Sequence, residues 1–388
     1  MRSLPALAVV AVLGPTMAQA YPWMIRHEYV SCSSCHADPS GGGVLTQYGR
    51  AQADLLVPTF GAGRDAEEPS PTFTFLFGKA PTPEWLDLAF SFRGGALVNR
   101  AGDATTVRPI QMASDLRAHA RAGPVRAAAS VGFALRRALP ASLTPWPENN
   151  VVSREHWIGV DAAEQSVLIR AGRIPIPFGL RIPEHTTWVR ERTRSTINDD
   201  QQHGVAVALS VEGLRAEVMG VIGNLQLHPS EYRERGFAGF VEKQVGSGLA
   251  VGLSSEVMGS RIDVVTREPF FLRQSHGAFG RWAPVRPFAL LAEVNLLASG
   301  SGDPPKPTVF GHAAMLQADW EAVRGLHLIA TGESLIDRGL SGLGGWGSVS
   351  WFLTHYAEVR VDAIVRRIVS EASPAITLTS IAQLHLTL

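Results

Sequence analysis

From about position 84 onward the chain alternates polar and apolar residues with a period of two, and this limits the possible folds more than any other feature. Asp115, Arg117, His119 and Arg121 share one face of a predicted strand, with Leu116, Ala118 and Ala120 on the other. Glu358, Arg360 and Asp362 alternate in the same way with Val359, Val361 and Ala363. A soluble sandwich also alternates, with its apolar face inward. A stripe of charge opposite small or apolar residues equally describes the inverse arrangement, a membrane barrel with lipid outside and a polar lumen inside.

Connection lengths decide between the two. Strands are predicted at 85–97, 111–121, 124–136, 154–161, 165–173, 203–212, 215–223, 234–244, 248–258, 272–283, 285–297, 308–320, 323–334, 345–354, 356–365 and 374–388. That is about sixteen, an even number, each near the roughly 9–11 residues that cross a bilayer at a tilt. Tight turns such as Ala122-Gly123, Gly213-Leu214 and Glu321-Ala322 alternate with long polar connections at 98–110, 137–153, 174–202, 224–233, 259–271, 298–307, 335–344 and 366–373. Short periplasmic turns and long extracellular loops are the signature of an outer-membrane barrel. The expected fold is all-β: an antiparallel transmembrane barrel of about 16 strands, porin-like, over residues 84–388. Trp282, Trp320 and Tyr356 beside the short turns fit an aromatic girdle. Gln383, His385 and Thr387 opposite Leu384, Leu386 and Leu388 fit a closing strand.

The first 20 residues read as an export signal, with Arg2, an apolar Leu4–Leu13 stretch and an Ala18-Gln19-Ala20 cleavage site. The expected location is therefore the bacterial outer membrane, with lipid as the surrounding partner. No other run is apolar and long enough for a transmembrane helix. Lys+Arg and Asp+Glu are 35 each, so charge gives no argument for a nucleic-acid partner. Lysine occurs only at Lys79, Lys243 and Lys306; arginine suits walls built from fixed bidentate ion pairs.

The only two cysteines lie in Cys32-Ser33-Ser34-Cys35-His36. C-x-x-C-H is the attachment pattern of c-type haem, two thioethers followed by a histidine placed as an axial iron ligand. A redox disulfide would come with a thioredoxin-like βαβ pattern, and a structural zinc would need a second Cys/His pair; neither is present. A chance match in a loop is the remaining alternative. The reading gives one covalent heme c, held by Cys32 and Cys35, with His36 as the proximal iron ligand. Met24, His27 and His119 are the candidates for the distal position. Residues 21–83 then form a small cytochrome-like segment, too short to stand alone without a staple, which can plug the barrel.

The connection 174–202 is the third and longest on the extracellular side. Its Pro177-Phe178-Gly179-Leu180 stretch resembles the corresponding region of polyanion-selective porins, and its length and mixed charge favour a constriction folded into the lumen. Glu184, Asp199 and Asp200 are its candidate cation-attracting acids, with the arginines holding the loop by ion pairs. No Ser/His/Asp triad, H-E-x-x-H helix or phosphate loop occurs, and Gly41-Gly42-Gly43 lacks the strand and lysine a phosphate loop needs.

In architecture, and around the haem motif in sequence, the chain resembles the fused monoheme cytochrome–porins of outer membranes. Trp23, Arg26 and Tyr29 precede Cys32 in similar order, and Pro39 and Tyr48-Gly49 follow His36. It departs from that family in its Gly41-Gly42-Gly43 insertion and in lacking Leu-Asn before the glycine. The resemblance implies electron transfer across the outer membrane through a single haem. Extracellular iron(II) would be the donor and a periplasmic carrier, such as a soluble cytochrome c, the acceptor, making the protein an outer-membrane iron(II) oxidase. The alternative is a diffusion porin for small solutes, with the haem segment as gate or sensor.

Overall fold

The computed structural model describes residues 21–29, 31–60, 74–76, 80–135, 140–144, 146, 149–184, 186–302, 305–370 and 374–387; the predicted export signal and Leu388 lie outside them. Sixteen antiparallel strands close into one barrel. They are β1 (Leu86–Ala101), β2 (Ala104–Ala122), β3 (Val125–Ala134), β4 (Asn150–Val152 and, after a break, His156–Ala162), β5 (Val167–Ile174), β6 (Gln202–Val211), β7 (Leu214–Gly223) and β8 (Arg235–Gly246). The second half comprises β9 (Leu249–Ile262), β10 (Pro269–Trp282), β11 (Phe288–Ser301), β12 (Val309–Val323), β13 (Leu326–Asp337), β14 (Leu340–Thr354), β15 (Ala357–Val369) and β16 (Pro374–Thr387). Each strand pairs with its neighbour in sequence. β16 closes on β1, from Thr377 opposite Ala101 to Thr387 opposite Ser91. Closure leaves no open edge, so strand pairs with strand all the way round the wall, as lipid requires.

The period-two pattern sets the two faces. Val205, Val207, Val251, Leu253, Leu316 and Val361 point outward and are exposed, while Glu217, Glu256, Asp319 and Asp362 between such positions are buried in the lumen. Trp282 and Trp320 lie on the outward face at the short-turn ends of β10 and β12, where an interfacial girdle belongs.

Two of the predicted loops are strand instead. The region 98–110 is the end of β1 and the start of β2, turning at Gly102 (φ +58°), and 335–344 is the end of β13 and the start of β14, turning at Arg338-Gly339. Polar and β-branched residues such as Thr105, Thr106 and Val107 continue a ladder beyond the membrane, where both faces of the sheet meet water.

Two inserts fill the lumen. The lower one is the N-terminal segment: 3₁₀ turns at Pro22–His27 and Cys32–Ser34, then helix α1 (Gln47–Leu56). Thr46 caps α1 by accepting the Gly49 amide at 3.1 Å and donates to the Ser34 carbonyl at 3.0 Å, which ties the helix start to the cysteine turn. The upper insert is the 175–201 connection with the short helix α2 (Trp188–Thr193), on which Trp188, Val189 and Arg190 are all buried. The third extracellular connection therefore folds inward.

Candidate haem site inside the barrel

The N-terminal segment is clamped to the wall around most of its circumference, at the short-turn end. The Tyr21 hydroxyl donates to Glu358 on β15 at 2.9 Å, and Arg26 pairs with Asp319 and Glu321 on β12. Asp38 accepts from Arg170 on β5 at 3.0 Å, Arg50 lies 3.7 Å from Asp87 on β1, and His355 lies 2.8 Å from Asp54. Arg215 on β7 donates to the Cys32 sulfur at 3.1 Å. Arginine–carboxylate pairs recur among these tethers, with the arginine on the segment at Arg26 and Arg50 and on the wall at Arg170.

Within this segment residues 36–45 form a closed loop. The Ala37 amide donates to the Val44 carbonyl at 2.9 Å, and Gly41, Gly42 and Gly43 take φ values of +91°, +96° and +68°, a run in the left-handed region that side chains resist. The loop brings the Gly42 carbonyl to 3.1 Å from Nδ1 of the buried His36 ring. A carbonyl only accepts, so Nδ1 carries the proton and Nε2 keeps its lone pair, the tautomer an iron ligand needs. Burial holds the imidazole pKa down at about 4, so it is neutral at ordinary periplasmic pH. Burial also raises the Cys35 thiol to about 11. Gly49 on α1 sits against the cysteine turn; a Cβ there would come within 2.2 Å of the Cys35 carbonyl oxygen.

Cys32, Cys35 and His36 line one cavity of about 50 Å³ together with Met24, Tyr29, Gln52 and Arg281. Of the three distal candidates, Met24 borders this cavity. His27 and His119 are not among its lining residues: the first neighbours Arg26 on the Glu321 side, and the second faces Asp87 at 3.6 Å from β2. The donor set fits a c-type haem: two thiols with two residues between them, an imidazole whose Nδ1 is committed to a carbonyl while Nε2 keeps its lone pair, and a thioether facing the same space. The enclosed volume is far below that of a porphyrin, so the side chains that now close the cavity are those the macrocycle would meet.

A second histidine cluster fails the same test. His203 Nδ1 accepts the Leu225 amide at 3.1 Å, so the proton sits on Nε2, which donates to His156 Nε2 at 3.2 Å. A ring whose Nδ1 accepts has no lone pair on Nε2 for a metal. That pair belongs to the extracellular rim of the wall.

Above the N-terminal segment, the inward loop is fixed by four carboxylates. Glu293 on β11 accepts the Leu180 amide (2.8 Å) and the Arg190 guanidinium. Glu333 on β13 accepts the Trp188 amide (3.0 Å), the Trp346 indole (2.9 Å) and Arg366 (2.7 Å), and Arg366 lies between the Trp188 and Trp346 rings. Arg194 pairs with Glu234 at 2.6 Å and Asp263 at 2.7 Å. Among the three predicted cation-attracting acids, Glu184 is itself committed, to Arg360 at 2.7 Å, while Asp200 caps the Thr196 amide at 2.9 Å beside Asp199. The two inserts touch where Arg181 donates to Ser40 at 2.7 Å.

The wall residues Arg170, Arg215, Arg281, Glu242 and Asp319 were not singled out by the sequence reading. Their inward-facing parity was legible, but their height along the strand relative to a segment more than a hundred residues away was not.

No family model matches the chain, and no curated protein matches it in sequence. Solved structures match in shape. OmpT of Vibrio cholerae, in its trimer form, superposes with a TM-score of 0.58 at 12% identity, covering 78% of this chain and 99% of that one. An anion-selective porin from Comamonas acidovorans gives 0.56 at 9% identity, covering 78% and 99%. The outer membrane channel DcaP of Acinetobacter baumannii gives 0.55 at 8%, covering 78% and 97%. At such identities the likeness concerns fold. Together with the apolar outer face and the closed sixteen-stranded wall, it makes this chain a porin-fold β-barrel of the bacterial outer membrane.

Proposed function

We propose that the protein carries single electrons across the outer membrane through one covalent c-type haem inside its barrel. The observation that supports this most is the shared cavity of Cys32, Cys35 and His36, with the imidazole Nδ1–H held by the Gly42 carbonyl. Cys32 and Cys35 would hold the porphyrin, His36 would be the proximal ligand, and Met24 is the better-placed distal candidate than His27. When bound, a haem supplies one-electron redox chemistry. The chain's own residues fix the imidazole tautomer and anchor the segment to the wall. Extracellular iron(II) is the proposed donor, and a soluble periplasmic carrier such as a cytochrome c the acceptor. The position of Asp199 and Asp200 within the inward loop supports that loop as the donor's approach. A second reading, a gated diffusion porin, is favoured by the ion-paired loop within the lumen and by the channels among the structural neighbours.

Rapid mixing of reconstituted protein with external ferrous iron separates the two. Reduction of the haem in a poorly conducting barrel supports the conduit; an oxidised haem in proteoliposomes that pass ions freely supports the porin.

A further inference from the structure

The carbonyl that holds His36 sits on a stretch with little stiffness of its own. Gly41, Gly42 and Gly43 all lie at positive φ, and glycine gives up more backbone freedom on being fixed than any other residue. At its base the loop is closed by the pairing of His36 with Leu45 and by the bond from the Ala37 amide to the Val44 carbonyl. At its tip one Asp38 carboxylate oxygen accepts both the Ser40 amide and the Ser40 hydroxyl, each at 2.9 Å. The Gly41 amide donates to the Asp38 carbonyl at 2.9 Å. The three glycines hang from that small turn.

The turn is gripped twice from outside the segment. Arg170 on β5 donates to the same Asp38 oxygen at 3.0 Å, and it is a fixed post: buried, donating also to Glu217 on β7 at 2.6 Å, with its guanidinium 5.3 Å from the Trp157 ring on β4. Arg181, from the inward extracellular connection, donates to the Ser40 oxygen at 2.7 Å. The Ser40 proton already goes to Asp38, so the bonds run one way, from Arg181 through Ser40 to Asp38, in a buried chain whose members polarise one another. We propose that Arg170 and Arg181 are positioning residues for the axial imidazole: by fixing the Asp38–Ser40 turn they hold the Gly42 carbonyl on His36 Nδ1, and they join the extracellular connection to the iron ligand. The proposal rests on the haem reading above. A carbonyl held on Nδ1–H makes the imidazole a stronger electron donor through Nε2, which favours oxidised iron. Loosening the carbonyl therefore raises the midpoint. Removing an arginine's positive charge, taken alone, lowers it, because oxidised iron is the more positive state. The two effects have opposite signs.

The test uses the full-length protein in detergent, with covalent haem scored by pyridine haemochrome, the midpoint measured by spectroscopic titration and barrel integrity checked by heat-modifiable migration. Arg181→Gln cuts the outer grip, and Ser40→Ala cuts the same chain without changing any charge. Both should keep the covalent haem and shift the reduction equilibrium about tenfold toward the reduced form, about 59 mV for one electron. Hydrogen exchange of the 37–44 backbone, which needs no haem, should be faster in both variants. Unchanged exchange in intact barrels would overturn the grip. Faster exchange with an unchanged midpoint would overturn the control of the imidazole, and a lowered midpoint in Arg181→Gln would assign that residue an effect of charge alone. Wild-type protein without covalent haem would instead sink the functional reading, while the exchange measurement would still judge the grip.

Discussion

At the scale of single residues, glycines and one imidazole decide the site. Gly49 is fixed by its contact with the cysteine turn: Gly49→Ala places a methyl against the Cys35 carbonyl, an overpacking that costs about 1–3 kcal/mol. The expected result is faster proteolysis of the N-terminal segment and a lower yield of covalent haem, while the barrel still shows heat-modifiable migration. If haem is attached as proposed, His36→Ala leaves both thioethers but removes the proximal ligand, which appears as lost low-spin bands in the reduced spectrum. The C-x-x-C-H motif was legible because covalent attachment needs that spacing regardless of fold. The role of Gly42 was not. The sequence presents three glycines as an insertion, and only the closed 36–45 loop reveals that they deliver a carbonyl to the imidazole.

Among the elements, the inward loop 175–201 shows how much a wall can impose. Its length and mixed charge pointed inward, but which carboxylate meets which arginine depends on barrel register, and Glu184 proved to be an anchor to Arg360 rather than a free acid. Removing one partner of a buried pair leaves the other charge uncompensated, at a cost of about 3–5 kcal/mol. Glu333→Ala, which strips the Trp188 amide, the Trp346 indole and Arg366 of their acceptor, should loosen α2. Planar-bilayer recordings should then show higher and noisier conductance than wild type. The same loop should respond to pH. Burial raises Asp200 to about 6 from 3.8, so the folded loop binds that proton more tightly than an unfolded one. Asp200's own contribution to the loop's stability is greatest below about pH 4 and declines as the pH rises through 6. Hydrogen exchange across 196–201 at pH 4 and pH 7 measures this, and equal protection at both values would contradict it.

For the whole molecule, alternation and turn spacing sufficed to predict a sixteen-stranded barrel, because a lipid-facing wall must keep strict parity along every strand. They failed at 98–110 and 335–344, where strands run on past the membrane and parity is no longer enforced. Deleting residues 21–60 should leave a heat-modifiable barrel whose ionic conductance exceeds that of the full chain several-fold, since the segment tethers to β1, β5, β7, β12 and β15. Those tethers also set an order of events. Asp38 meets Arg170 and Cys32 meets Arg215 across 132 and 183 positions of sequence, so both contacts exist only once the sheet has closed around the segment. A maturation enzyme working on the cysteines would find them enclosed after that moment. If haem is attached as proposed, ligation must therefore come first, in the periplasm and on an unfolded chain, and insertion into the membrane would seal a cofactor already in place.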